Sequence, residues 1–222
     1  MSAARAAAAQ PPPPPRPAGS RYGWFVGVVV VLIIAYITVN TALTVPNGSH
    51  GIEPGRPLPP FAVPLALSGL TGDANVATRA NQGLAGRRPA CSITGVDIVN
   101  ICAIEQRGPV ALALFVPTGI CPKVADELAA LQAAFPAVQM VGVAIRGNRA
   151  GVRALVRRSG WRFPVGYDRD GALATLYHLP SCALISFADR GGLAHGPALL
   201  ATPPSAEQVR QRLSQLTTAG PA

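Results

Sequence analysis

Charge is scarce in this 222-residue chain: Asp, Glu, Lys and Arg together make 13%, against about 25% in an average soluble protein. A disordered acidic chain and a polar repeat array are excluded. Lysine occurs once, at Lys123, against 18 arginines, and aromatics are 5% of the chain. The formal net charge of +9 invites a nucleic-acid reading, but that needs basic runs interleaved with aromatics. Arg87-Arg88 and Arg157-Arg158 are the only basic doublets, so no nucleic-acid partner is expected. The arginine bias reads as coding bias instead. Histidine is limited to His50, His178 and His195, and no two cysteines are close enough for a metal knuckle, so neither metal nor other cofactor is expected. No serine–histidine–aspartate set, nucleotide loop or paired carboxylate stands out, which leaves hydrolase and nucleotide chemistries without residues.

What the chain has is apolar residues at 49%, with 23 Pro and 23 Gly as punctuation. Residues 1–21 hold an Ala-rich stretch and Pro11 to Pro15, a composition that extends and cannot bury a core, so a disordered tail is expected. Residues 22–45 carry no charge and include Trp24-Phe25-Val26-Gly27-Val28-Val29-Val30-Val31-Leu32-Ile33-Ile34-Ala35-Tyr36. At about 1.5 Å per residue such a helix spans a bilayer core of about 30 Å. A cleaved signal is the rival reading, but the run is longer than a signal's apolar region and Asn40-Thr41-Ala42 is a poor cleavage site. Arg5, Arg16 and Arg21 precede the span, whereas Arg56 and Glu53 follow it. The positive-inside rule then keeps the N-terminus cytoplasmic and sends the rest of the chain outside, where disulfides persist.

Residues 46–60 read as a Pro/Gly linker and 61–218 as one globular domain. Phe61 to Leu67 is a possible first strand, residues 69–90 an irregular loop, and Val96 to Ile104 a short helix. Val110 to Val116 is a continuous apolar run, as in a strand buried on both faces. After it, Pro122 suits a first helical turn, and Val124, Leu128, Leu131 and Phe135 share one helical face. Val138 to Ile145 predicts a strand, Ala150 to Ser159 a helix with Arg153, Arg157 and Arg158 on its wet side, Phe163 to Tyr167 a strand and Gly171 to His178 a helix. Cys182 to Ala188 and Leu193 to Leu200 predict a hairpin across Asp189-Arg190-Gly191-Gly192, and Ser205 caps a last helix carrying Val209, Leu213 and Leu216. The alternation argues for an α/β three-layer fold with a mixed sheet, preceded by one transmembrane helix.

The order of these elements, the segment Phe115-Val116-Pro117-Thr118-Gly119-Ile120-Cys121-Pro122 and the segment Phe163-Pro164-Val165-Gly166-Tyr167-Asp168-Arg169-Asp170-Gly171 together resemble the redoxin branch of the thioredoxin-like superfamily, over residues 57–218. That branch contains membrane-anchored thiol-disulfide oxidoreductases and peroxiredoxins. The departures are specific. Where reducing members have Cys-Pro-x-Cys, this chain has Cys121-Pro122-Lys123-Val124, and Ile120 replaces the usual aromatic residue. Thr118 stands three before Cys121, as in the peroxiredoxin T-x-x-C signature.

The resemblance implies that Cys121 is the attacking thiol at a helix N-terminus, where free N–H groups, the helix dipole and nearby Lys123 favour its thiolate. It also implies that Cys182, beside the position where the family has a cis-proline and this chain has Ala183, lies next to Cys121 and serves as the resolving thiol. Cys91 and Cys102, at a spacing suited to a local loop-closing bond, are expected as a structural disulfide. The function expected is a membrane-anchored, extracytoplasmic thiol-disulfide oxidoreductase acting on protein thiols and disulfides. The alternatives are a non-catalytic redoxin-fold binding module and a peroxiredoxin-like thiol peroxidase.

Overall fold

The computed structural model describes residues 21–44, 51–82, 86–200 and 204–218. The chain divides into two compact units, Met1–Gly48 and Ser49–Ala222. In the first unit, Arg21–Thr44 forms one α-helix of 24 residues (α1), with side chains described over residues 23–38. Those side chains are exposed on every side of the helix. Among the described residues, no helix is long and apolar enough to cross a membrane. Val45, the last residue of the expected span, and the tail before Arg21 lie outside the described residues.

The second unit is built on a five-stranded mixed sheet. Its strands are β3 (Val110–Phe115), β4 (Gln139–Ile145), β5 (Val165–Asp168), β6 (Ala183–Ala188) and β7 (Leu199–Leu200), after a separate antiparallel pair, β1 (Ala62–Pro64) and β2 (Ile98–Asn100). The sheet order is β5-β4-β3-β6-β7; β3, β4 and β5 run parallel, and β6 returns antiparallel to β3 with Phe115 opposite Ala183. Helices α2 (Ile101–Glu105), α3 (Lys123–Leu131), α4 (Arg149–Ser159), α5 (Ala172–Leu176) and α6 (Ala206–Thr218) complete it.

The continuous apolar character of β3 follows from its central position. Ala111, Ala113 and Phe115 face a core closed by α3, α4 and α6, whereas Val110, Leu112 and Leu114 face a second core closed by β1, β2, α2 and α5. Residues Val209, Leu213 and Leu216 of α6 are fully buried, at the helical spacing that makes one apolar face. Its start is fixed by a reciprocal capping box, with Gln208 N donating to Ser205 Oγ at 3.2 Å and Ser205 N donating to Gln208 Oε1 at 3.1 Å. In α4, Asn148 Oδ1 accepts from Gly151 N at 3.0 Å, and Gly160 at φ +65° ends the helix after Arg157 and Arg158.

Several expected elements take a different form. The helix expected over 96–104 begins as strand β2, because Val99 and Asn100 pair with Val63 and Ala62 before Asn100 caps α2. The return strand expected over 193–200 is interrupted: Ala194 pairs with Ala188, and Leu199 pairs with Ile185, leaving four residues opposite two. Pro197, which has no N–H, lies in that bulge. Residues 51–60 are not a free linker. Leu58 is buried, Gly55 N donates to Ala194 O, Leu58 N to Gly192 O, and Ala194 N to Arg56 O, so this Pro-rich segment pairs along residues 192–194. Nor does Arg153 stand on a wet face; it is half-buried and its guanidinium donates to the carbonyls of Ala66 and Ser68.

Candidate active site

The carboxyl ends of parallel strands are where an α/β sheet presents its loops for chemistry. Cys121 sits in the loop from β3 to α3, and Cys182 immediately precedes the antiparallel strand β6. Continuing the β3–β6 ladder, Val116 N donates to Cys182 O at 2.8 Å. This bond brings the two segments side by side, and Cys121 and Cys182 are joined by a disulfide, 61 residues apart in sequence with Cα atoms 5.4 Å apart. Both are partly exposed. They touch the core that contains Phe115, Val124 and Ile185.

The loop that delivers Cys121 is a series of tight turns: Thr118 N donates to Val116 O at 2.9 Å, Cys121 N to Thr118 O at 3.3 Å, and Lys123 N to Ile120 O at 3.1 Å. Val124 N takes Cys121 O at 3.4 Å, and Ala125 N takes Pro122 O at 2.9 Å. The free N–H groups expected around Cys121 are therefore already bonded to loop carbonyls, which corrects that part of the thiolate argument. The helix dipole and the cation remain. Lys123 is exposed, opens α3 two residues after Cys121 and has no ion-pair partner among the described residues. The Thr118 side chain is exposed and Ile120 is 48% exposed, so the rim beside the disulfide is part polar and part apolar.

Cys91 and Cys102 form the second disulfide, 11 residues apart with Cα atoms at 5.4 Å. It ties the single turn Ala90–Ser92 to α2. Asn100 reinforces the same loop, with Nδ2 donating to Ala90 O at 3.0 Å and Ile93 O at 2.7 Å. Cys102 is buried in the second core, on the other face of the sheet from the core that Cys121 and Cys182 touch.

Sequence reasoning missed three features of the framework. Trp161 donates from Nε1 to Asp126 Oδ1 at 2.8 Å, and its ring meets Phe115 edge-on at 5.5 Å and stacks on Phe163 at 6.1 Å, which pins α3 to the core. Asp168, fully buried, accepts from Gly171 N at 3.0 Å, Ala172 N at 3.2 Å and Leu173 N at 2.9 Å. Burial, assisted by the neighbouring Asp170 carboxyl, pushes Asp168 up to about 6 despite those donors. Tyr167 donates from its hydroxyl to Gly147 O at 2.7 Å, beneath the turn that touches Pro117. The only signal for Asp168 and Tyr167 was their place in the segment that carries the family resemblance. Trp161 carried none.

No family model matches the chain, and no curated protein matches it. Solved structures do match the second unit's architecture. One is a candidate thiol:disulfide interchange protein DsbE from Chlorobium tepidum, with 16% identity, 74% of this chain and 98% of that chain covered, and a TM-score of 0.54. Another is the peroxidoxin BcpB from Mycobacterium tuberculosis, with 14% identity, 77% and 99% covered, and a TM-score of 0.54. The thioredoxin domain of a thiol-disulfide oxidoreductase from Bacteroides vulgatus matches at 11% identity, 73% and 99% covered, and a TM-score of 0.51. At such identities the likeness is one of fold: the globular unit of this chain has a thioredoxin-like fold.

Proposed function

We propose that this chain is a membrane-tethered thiol-disulfide oxidoreductase in which Cys121 exchanges with protein thiols and disulfides and Cys182 is the resolving thiol. The observation that carries this reading is the Cys121–Cys182 bond: two partly exposed sulfurs from distant segments meet at the loop end of the sheet, with no second cysteine in the Cys121-Pro122-Lys123-Val124 turn. Resolution from the residue that precedes β6 replaces resolution from within the helix. In the reduced protein, the Cys121 thiolate attacks a substrate disulfide, forming a mixed disulfide and releasing one substrate thiolate. The Cys182 thiolate then attacks Cys121 Sγ, closing the intramolecular bond and releasing the second substrate thiolate. The protein loses two electrons and the substrate gains them, and the two cysteine protons end on the substrate thiols. Run backward, the same steps oxidise a substrate dithiol.

We infer further that α1 is the tether and that the globular unit is extracytoplasmic. Supporting this are the uncharged sequence from Tyr22 to Val45 with three arginines before it, and a helix whose described apolar side chains are exposed all round. An oxidising compartment also suits a chain whose four cysteines are all paired.

Alkylation and peptide mapping after equilibration in glutathione buffers test the redox reading. Cys121 and Cys182 are expected to titrate together as one two-electron couple while Cys91 and Cys102 stay joined. Four sulfurs inert across the whole range would instead identify a redoxin-fold binding module.

A further inference from the structure

The loop carrying Cys121 is braced on the side away from Cys182 by a second loop, the turn after β4. Gly147 lies against the Pro117 ring so closely that a Cβ at residue 147 would stand 2.7 Å from Pro117 Cγ. The turn is an expensive one. Gly147 is at φ +80° and the preceding Arg146 is at φ +62°, a left-handed conformation that a non-glycine side chain rarely adopts. Such a turn persists only where its surroundings hold it. Arg146 N donates to Asp168 O at 2.7 Å, and Asn148 caps α4, which fixes the two flanks. The middle is held by one side chain: the Tyr167 hydroxyl donates to Gly147 O at 2.7 Å.

Tyr167 is itself well fixed. It is buried, it lies in β5 opposite Ala144, and the Arg149 guanidinium covers its ring at 5.6 Å while donating to Ser68 O at 2.9 Å. A rigid tyrosine thus reaches across the end of the sheet and presses a strained turn against Pro117. Within the Cys121 loop, Pro117 is enclosed by the bond from Thr118 N to Val116 O, and Val116 is bonded to Cys182 O.

We infer that Tyr167 is a positioning residue for Cys121: its hydroxyl holds the Gly147 turn against Pro117 and so fixes loop 116–122 where Cys121 and Cys182 meet. The consequence for redox chemistry rests on the oxidoreductase reading above; the mechanical coupling does not. Tyr167 touches neither sulfur and has no part in the exchange steps. Its effect is on the equilibrium between disulfide and dithiol, because a loosened loop lowers the effective concentration of one thiol at the other.

The experiment uses the full chain in detergent with two variants. Tyr167→Phe keeps the ring and removes the hydroxyl; Gly147→Ala keeps the hydroxyl and drives a methyl group into Pro117. Loss of one such hydrogen bond is expected to shift the Cys121–Cys182 equilibrium with glutathione toward the dithiol by about three- to tenfold in Tyr167→Phe. The Cys91–Cys102 bond is the internal control and stays oxidised. Amide hydrogen exchange is the second readout: peptides covering residues 116–122 are expected to exchange about three- to tenfold faster in Tyr167→Phe, and those covering α6 at the unchanged rate. Gly147→Ala is expected to shift both readouts in the same direction, which keeps the idea testable should Tyr167→Phe fold poorly. If the wild-type couple proves inert to glutathione, the oxidoreductase reading fails while hydrogen exchange still decides the coupling. Unchanged exchange at 116–122 in both variants overturns the inference, as does acceleration spread equally over 116–122 and α6.

Discussion

Replacing Cys91 and Cys102 together by alanine removes a bond that closes a short loop, and the cost follows from the loop's length. The sequence separation is 11, so the closed loop is about a dozen residues. The chain-entropy relation gives about 3 kcal/mol at 25 °C for such a loop, through the freedom that the unfolded chain regains. Packing adds little. Cys91 is exposed, and Cys102 is buried where alanine leaves a gap of about one atom. The Asn100 bonds to Ala90 O and Ile93 O persist in the variant and hold the loop locally, but they do not restrict the unfolded state. For a unit the size of Ser49–Ala222, about 3 kcal/mol corresponds to a melting point lower by about 6–12 °C. Thermal unfolding followed by circular dichroism, on the full chain in detergent, measures it. The Cys121–Cys182 couple of the variant is expected to keep its wild-type equilibrium with glutathione, since the two bonds lie against opposite faces of the sheet. A melting point within about 2 °C of wild type, a difference of less than about 1 kcal/mol, would refute the loop-closure argument.

Three further predictions come from other parts of the molecule. Asp168 is raised in the folded state to about 6 from 3.8, so the native protein binds the extra proton between those values and its stability falls as pH rises through that window, by up to about 3 kcal/mol; urea unfolding from pH 4 to pH 7 is expected to show this fall, and Asp168→Asn to lose it. An Asn at 168 also faces at least one of the three N–H donors with its own amide, so Asp168→Asn is expected to be about 1–3 kcal/mol less stable than wild type at pH 4. A chain beginning at residue 49 is expected to fold and stay soluble, whereas one beginning at residue 61 loses buried Leu58 and the pairing along 192–194, and is expected to melt lower or aggregate. A periplasm-type reporter fused after Ala222 is expected to be active and a cytoplasm-type reporter silent, since three arginines precede the uncharged run that starts at Tyr22; the opposite pattern would reverse the proposed orientation.

The sequence was most legible where burial is two-sided or periodic. Strand β3 announces itself as an unbroken apolar run and β4 by the run from Met140 to Ile145, and α3 and α6 by Val124, Leu128 and Leu131 and by Val209, Leu213 and Leu216. It was least legible where pairing partners are remote. Nothing local shows that 51–60 pairs with 192–194, because proline and glycine there look the same in a free linker and in an edge segment. The strand β2 is three residues long, and its partner β1 lies 36 residues earlier, so no periodicity marks it. The meeting of Cys121 with Cys182 belongs to this class too: a separation of 61 residues carries no local signal, and only the order of elements pointed to it. The bonds of Arg153 to Ala66 and Ser68 were hidden because an arginine on a helix reads as solvated unless the loop covering it is known.

The central claim is that Cys182 resolves adducts formed on Cys121, and trapping tests it most directly. Full chain carrying Cys182→Ser, reduced and then mixed with an oxidised disulfide-containing peptide, is expected to accumulate a mixed disulfide that peptide mapping locates on Cys121. Wild-type chain under the same conditions is expected to show no lasting adduct and to end with the 121–182 bond closed, and Cys121→Ser to form no adduct at all. Adduct on Cys182 in the Cys121→Ser chain, or equal clearance of the adduct with and without Cys182, would contradict the account.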